Sequence, residues 1–406
     1  MAPESPLIFR KGLDRKQEVA GKLADDYHSD LVAKLKEEGF AFRSGRLTVH
    51  LAREFGFCYG VDRAVDYAYQ ARVRFPDRRI FLTGEIIHNP HVNDQLRGQG
   101  IRFLTDHGES AQDITRNDVV ILPAFGVAID VLDGLVAQGC TLVDTTCGSV
   151  LNVWKNVKRY TAEGITSIIH GKYWHEETRA TASQARQDGR GHYLVVLNRA
   201  EAQLACDYIR TGGDPRQFMS AFAEAASPGF NPDVHLERIG CANQTTMLSS
   251  ESIEVGQMFR RAMLDRHGEA ELASRFRAFD TICSATQDRQ DAVVALLAEH
   301  PIDLMLVLGG HNSSNTYNLA RICADTVPTY HVADPDALIS RRQIAHRPVD
   351  AHGEVVAEGW LPEGPVTVGL TSGASTPDTL VGAVIERLDA LANAGETPFL
   401  GVSAIV

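Results

Sequence analysis

Hydrophobic positions along this chain follow two rhythms. Short runs rich in Val, Ile, Leu and Phe read as strands, and stretches with apolar residues every three or four positions read as helices. The two alternate almost without interruption. LTVHL precedes a helix from about Val61, RIFLTG a turn, DVVILPAF the helical AIDVLDGLVAQG, and CTLVDTT a further helix. The pattern continues through TSIIHG, HYLVVL, the helical NRAEAQLACDYI, a strand near Glu237 to Cys241, a helix from about Ser250, then DLMLVLGG and PVTVGLTSG, each before a helix. Such alternation predicts parallel sheets covered by helices, an α/β fold. Two segments depart from it. Residues 1–46 predict an accessory extension with one amphipathic helix, because Val19, Leu23, Tyr27, Leu31 and Leu35 recur at helical spacing. Residues 211–234, with Gly and Pro at both ends, predict an inserted excursion.

A weak repeat runs through this pattern. LVDTTCGS at 142–149 and AFDTICSA at 278–285 both set a cysteine just after a strand ending in Asp-Thr, and EFGFCYGV at 54–61 sets Cys58 in a similar strand-to-helix turn. A helix N-terminus favours a thiolate, and a thiolate is the form that binds metal. Cys58, Cys147 and Cys283 are therefore candidate ligands, with burial as the competing reading from spacing alone. Cys206 and Cys323 fall within apolar helical patterns and Cys140 opens a strand, so these read as small core residues, with Cys241 open. Seven widely spaced cysteines and an N-terminus without an apolar signal core argue against a disulfide framework. Three ligands from three similar modules would leave one iron of a cubane without a protein ligand, the mark of a catalytic metal site.

Composition narrows the function. The 406 residues are 44% hydrophobic and 23% charged, enough apolar material for several cores. A formal charge of -12 argues against a nucleic-acid binder. No apolar run has the length of a membrane span, and a cytoplasmic protein is expected. An anion bound here must be held by local donors rather than by long-range attraction.

Four polar turns follow predicted strands: EIIHNPH with His88, HGKYWHEET with His170, Lys172, His175, Glu176 and Glu177, GGHNSSNT with Ser313, Ser314 and Asn315, and TSGASTPD with Ser372 and Ser375. A fifth, CANQTTML, carries Gln244, Thr245 and Thr246. Each alone reads as ordinary helix capping. Together they bring phosphate-binding hydroxyls, amides and imidazoles to strand ends, where open α/β sheets collect ligands. A carboxyl beside an imidazole in HGKYWHEET is a plausible proton donor to a leaving hydroxyl. No Walker loop and no GxGxxG is present.

In this order, FCYGVDRAV, GEIIHNPHV, LVDTTC, SIIHGKYWHEETRATAS, NQTTML, DTICSATQDRQDAV, GGHNSSNT and GLTSGAS resemble the 4-hydroxy-3-methylbut-2-enyl diphosphate reductase family of the non-mevalonate isoprenoid pathway, from about Thr48 to Leu388. HGKYWHEET, LPAFG and the extension look most like the longer form of plants and cyanobacteria. The resemblance implies three α/β modules in a pseudo-threefold trefoil around a [4Fe-4S] cluster held by Cys58, Cys147 and Cys283. The modules would cover 47–146, 147–279 and 280–390, with a tail at 391–406. It assigns diphosphate binding to His88, His175, Ser313, Ser314, Asn315 and Ser375, proton delivery to Glu177, and assistance to Thr245. Two positions depart from the family. Phe125 stands in LPAFG where the short bacterial form has a phosphate-binding histidine, and Gly148 follows the second cysteine where proline is usual, which loosens that turn.

The implied reaction is reductive dehydroxylation of 4-hydroxy-3-methylbut-2-enyl diphosphate to isopentenyl and dimethylallyl diphosphate. Glu177, with Thr245 and His175, would protonate the departing oxygen. No flavin or nicotinamide motif is visible, so a ferredoxin or flavodoxin would donate electrons. Three alternatives stand beside it: a cluster-dependent dehydratase needing no reductant, a non-enzymatic iron-sulfur sensor, and a zinc hydrolase using Cys147, His175 and Cys283.

Overall fold

Strands that alternate with helices pair in parallel, because each helical crossover carries the chain back to the end of the sheet where the previous strand began. The computed structural model describes residues 7–187, 189–278, 281–351 and 353–394, and it has this architecture. It divides into two compact units, Met1–Ala24 with Cys58–Asp288, and Asp25–Phe57 with Arg289–Val406.

The first unit holds two all-parallel sheets. One orders its strands Ile8–Phe9, Thr141–Asp144, Val119–Leu122, Ile80–Leu82, Ile101–Phe103. The other runs Phe276–Ala278, Ile239–Asn243, Thr166–His170, Tyr193–Val196. Their central strands are buried along their whole length, which accounts for continuous runs such as VVIL rather than alternation. The second unit holds the order Thr329–Val332, Leu304–Leu308, Val366–Ser372, Leu47–Leu51, Ala41–Ser44, parallel except for the last pair, and a ribbon of Gln343–His346 with Val355–Glu358.

Leu47–Leu51, expected to open the first module, pairs with Val366–Ser372 in the second unit, where Leu47, Val49 and Leu51 join the core of Val366, Val368 and Leu370. Periodicity finds a strand but not its neighbour. The expected boundary at 279/280 and most of the tail at 391–406 lie outside the described residues.

The N-terminal extension is also more than one helix. Helix Lys16–Tyr27 is separated from helix Asp30–Glu37 by Ser29, whose Oγ accepts from the Val32 N–H and starts the second. Before them, Ile8–Phe9 adds an edge strand beside Thr141–Asp144, and Arg10 pairs with Asp144 at 3.2 Å. Buried Gln70 ties this strap down: its Oε1 accepts from the Leu13 and Arg15 N–H groups at 3.0 and 3.2 Å, while its Nε2 donates to Asp66 at 2.8 Å. The excursion at 211–234 folds into helices Pro215–Ala221 and Pro232–His235. Its Ala225 and Ser227 hydrogen-bond to the outer edge of Tyr193–Val196, covering that edge, while Phe218, Phe222 and Phe230 fill a small core. No helix among the described residues is long and apolar enough to cross a membrane.

The Gln70→Leu substitution orphans the buried Leu13 N–H. It should cost about 2 kcal/mol, read as a lower midpoint in denaturant unfolding with an unchanged slope.

Candidate active site

Most of the functional turns named from the sequence follow the carboxyl ends of strands, and in the two sheets of the first unit neighbouring turns are joined by backbone hydrogen bonds. In the first sheet the Ala124 N–H donates to the Ile86 carbonyl at 3.3 Å, and the Cys147 N–H to the Ala124 carbonyl at 2.8 Å. The turns of His88, Phe125 and Cys147 thus form one chain. In the second sheet the Gln244 N–H donates to the His170 carbonyl at 2.8 Å and the Cys283 N–H to the Thr245 carbonyl at 3.3 Å, linking the turns of His175, Thr245 and Cys283.

Glu177 sits in the first turn of helix Glu176–Gln184, only 3% exposed. The Thr245 N–H donates to its Oε1 at 2.6 Å, and the Thr245 hydroxyl also hydrogen-bonds to it. Burial disfavours the carboxylate more than these bonds favour it, and its pKa is pushed up to about 7. His175 caps the same helix, its Nδ1 accepting from the Glu177 N–H at 3.1 Å. Burial first, then neighbouring His88 and Lys172, hold this imidazole well below its ordinary range, so it is neutral. Its Nε2 lies 3.1 Å from the Nε2 of His88, whose Nδ1 lies 2.7 Å from a Glu85 oxygen. Phe125 stacks on the His88 ring, centroids 4.8 Å apart and planes 11° from parallel. The position where the short bacterial form has a histidine therefore presents an aromatic face rather than a donor.

The three cysteines singled out occupy equivalent settings. Cys58 and Cys147 are the N-cap residues of helices Tyr59–Arg74 and Gly148–Ala162, and Cys283 directly precedes Ser284–Glu299. Gly60 lies beside two of them: a Cβ there would be 2.6 Å from the Cys147 Sγ, a clash, and 3.9 Å from the Cys58 Sγ, an ordinary contact, so a side chain at this position would crowd the Cys147 sulfur. Cys283 Sγ hydrogen-bonds to the Thr286 hydroxyl at 2.9 Å and accepts its N–H at 3.3 Å. Burial nevertheless pushes this thiol up to about 11, with Cys58 and Glu177 adding to the rise. The turn loosened by Gly148 is braced elsewhere, since Asp144 accepts from the Thr146 N–H and hydroxyl, and Arg63 donates to the Thr145 carbonyl at 3.0 Å. Cys140, Cys206, Cys241 and Cys323 are buried, their thiols pushed up by desolvation, as expected of core residues.

In the second unit, the turns after the paired strands Leu304–Leu308 and Val366–Ser372 interlock. Ser313 caps helix Ser314–Ala324, Asn315 Oδ1 accepts from the Ala374 N–H at 3.0 Å, and the Gly373 N–H donates to the Leu308 carbonyl. Ser313, Ser314, Asn315 and Ser375 are all buried within this polar turn pair. His331, kept neutral by burial with its pKa lowered to about 3, lies with Nε2 2.9 Å from the Gly309 carbonyl and steadies the glycine turn.

Three features escaped the sequence reading. Glu85 lies three residues before His88, a spacing that would have signalled a carboxylate–imidazole pair. Gln244, grouped there with Thr245 and Thr246 as a polar island, pins the HGKYWHEET turn through the Lys172 N–H and Thr178 hydroxyl, both 3.1 Å from its Oε1. Gly60 carries no sequence mark beyond its place after Cys58. His170, which opens the HGKYWHEET turn, pairs with Ser252 at 2.8 Å in the interior.

A family model described as LytB protein matches residues 49–389. The chain belongs to the LytB protein family. Among its relatives, the 4-hydroxy-3-methylbut-2-enyl diphosphate reductase of Gloeobacter violaceus is 48% identical, over 98% of this chain and 96% of that one. The enzyme of the same name from Thermosynechococcus vestitus is 46% identical over 94% of each. The LytB relatives thus include the N-terminal extension in their match. A solved structure titled (E)-4-hydroxy-3-methyl-but-2-enyl diphosphate reductase, the terminal enzyme of the non-mevalonate pathway, superimposes with TM-score 0.50 at 26% identity, over 84% of this chain and 98% of that one. The Plasmodium falciparum E-1-hydroxy-2-methyl-but-2-enyl-4-diphosphate reductase shares the fold, with TM-score 0.61 at 19% identity over 88% and 95%. The resemblance read from the motifs is borne out.

Two expectations follow. A carboxyl whose pKa is raised on folding stabilises the native state fully below its unfolded value and loses that contribution as pH rises to its folded one. Between about pH 4.5 and 7, Glu177 should therefore forfeit roughly 3 kcal/mol, and Glu177→Gln should flatten the fall in thermal midpoint over that window. Gly60→Ala should displace the Cys147 sulfur and lower bound iron in anaerobically purified protein while leaving the circular dichroism spectrum unchanged.

Proposed function

We propose that this chain catalyses the reductive dehydroxylation of 4-hydroxy-3-methylbut-2-enyl diphosphate, using a [4Fe-4S] cluster held by Cys58, Cys147 and Cys283. The substrate and two electrons and two protons give water and either isopentenyl or dimethylallyl diphosphate. The observation that carries the reading is a fully buried carboxyl, Glu177, poised to hold a proton near neutrality and joined through Thr245 to a cysteine turn.

The donor set fits the cluster. Thiolates suit iron-sulfur centres, and three of them leave one iron free for substrate. A buried thiol at Cys283 stays protonated at neutral pH unless a cation compensates, and iron is such a cation. When bound, the cluster supplies single electrons and a Lewis-acidic iron.

The residues of the chain do the rest. Glu177 holds the proton that the leaving oxygen takes, and its burial keeps bulk water from competing for it. Thr245 fixes the carboxyl by its N–H and offers its hydroxyl as a short relay. His175 donates to a diphosphate oxygen through Nε2, and His88 completes that pair. Ser313, Ser314, Asn315 and Ser375 take the diphosphate roles the family motifs give them, with the donors of a helix N-terminus behind them. The diphosphate fixes the position of the allylic carbon-oxygen bond. Electrons arrive from a ferredoxin or flavodoxin, and the protein works in the cytoplasm.

Anaerobic purification with iron and sulfide analysis, then turnover of the allylic diphosphate with an artificial reductant, tests the reading. Cys58→Ser, Cys147→Ser and Cys283→Ser should each lose the cluster. Glu177→Gln should keep it and lose at least about 100-fold in kcat. Product formed without any reductant would point to a dehydratase, and zinc in place of iron would point to a hydrolase.

A further inference from the structure

The hydrogen bonds of His175 and His88 point to one arrangement of the imidazole protons. His175 Nδ1 accepts from the Glu177 N–H and so carries a lone pair; the proton of the neutral ring is on Nε2. That N–H points at His88 Nε2, 3.1 Å away, which must be the acceptor. The proton of His88 is then on Nδ1, directed at Glu85 2.7 Å away. The order Glu85, His88, His175, Glu177 N–H admits one consistent assignment. It also disfavours the other use of this cluster. His88, His175 and Glu176 have ligand atoms within 4.8 Å of one another, but a metal would need the Nε2 lone pair that His175 has committed to a proton.

An anion entering here meets a donor at His175 but a lone pair at His88, which would repel it. Resting on the functional reading above, we propose that Glu85 is a positioning residue acting through His88: it holds His88 with Nε2 bare, so that diphosphate binding is completed by uptake of one solvent proton on that nitrogen. The bond that forms is His88 Nε2–H. The bond that breaks is the hydrogen bond between the two imidazoles, and the His175 N–H turns its donation to the diphosphate. The resulting imidazolium lies between the Glu85 carboxylate and the ligand, a charge-assisted bond on each side. Glu176, 3.7 Å from His88 Nε2, and buried Glu177 are the other carboxyls facing it, and His175 and the Phe125 ring complete its surroundings. His175 itself, capping a helix and held neutral, cannot take this proton.

Calorimetry on the cluster-loaded protein, without reductant so that no turnover occurs, measures the linkage. 4-Hydroxy-3-methylbut-2-enyl diphosphate is titrated at pH 8 in buffers of differing ionisation enthalpy. Uptake of about one proton is expected for the native chain. Glu85→Gln, which can still accept from Nδ1 but carries no charge, should lower that uptake and weaken binding by about tenfold or more. Glu85→Asp should restore part of both. In the free protein, ¹⁵N shifts should show His88 as the Nδ1–H tautomer in the native chain and in Glu85→Gln, with the Nε2–H form appearing in Glu85→Ala at unchanged iron content. Binding without proton uptake, uptake unaltered in Glu85→Gln, or an Nε2–H His88 in the native chain overturns the proposal. Failure of the allylic diphosphate to bind at all sinks the functional reading and the proton linkage together, and the ¹⁵N spectra still judge the role of Glu85 separately.

Discussion

The backbone of one residue holds the site together. Thr245 donates its N–H to Glu177 and accepts the Cys283 N–H at its carbonyl, so the buried carboxyl and the Cys283 turn share a single support. A buried carboxyl without partners would be costly and mobile, whereas this one has its donors aligned before any ligand arrives. The 2.6 Å bond to Glu177 is short, yet desolvation still outweighs it and keeps the proton on near neutrality. That balance is what an acid working at physiological pH needs. A stronger donor would release the proton, and a wetter site would let it exchange with solvent.

The same construction recurs. In both sheets of the first unit, backbone hydrogen bonds run from the turn after one strand to the turn after the next and end on a cysteine. The weak repeat of Asp-Thr-x-Cys along the sequence is the trace of this arrangement, though residues 279–280 of the second copy lie outside the described structure. It explains how an acidic chain can bind an anion. On the proposed reading the donors are helix N-termini and imidazoles placed by these turns, effective at contact range whatever the net charge of -12.

Much of this was legible in the sequence. The α/β class followed from strand and helix periods, and the settings of Cys58, Cys147 and Cys283 followed from their place between strand and helix. Pairing was not legible. LTVHL is a good buried strand in any sheet, and only the tertiary core assigns it to Val366–Ser372. The Ser29 break was missed because the apolar spacing runs through it, although a serine followed by Asp30 marks a helix start. Glu85 was missed although it stands three residues before His88, because a single such spacing is common and marks no element. Its meaning comes from an imidazole 2.7 Å away. Gly148, read as loosening the turn, is the first residue of helix Gly148–Ala162, and Asp144 and Arg63 hold Thr145 and Thr146 ahead of it.

Infrared difference spectroscopy of the carboxyl carbonyl stretch, compared between the native chain and Glu177→Gln across pH 5 to 9, asks directly whether the buried acid keeps its proton. A protonated-carboxyl band that disappears near pH 7 and is missing from the variant is the expected result. Identical spectra, with Glu177 already ionised at pH 5, would contradict it and leave the departing oxygen without its proton source.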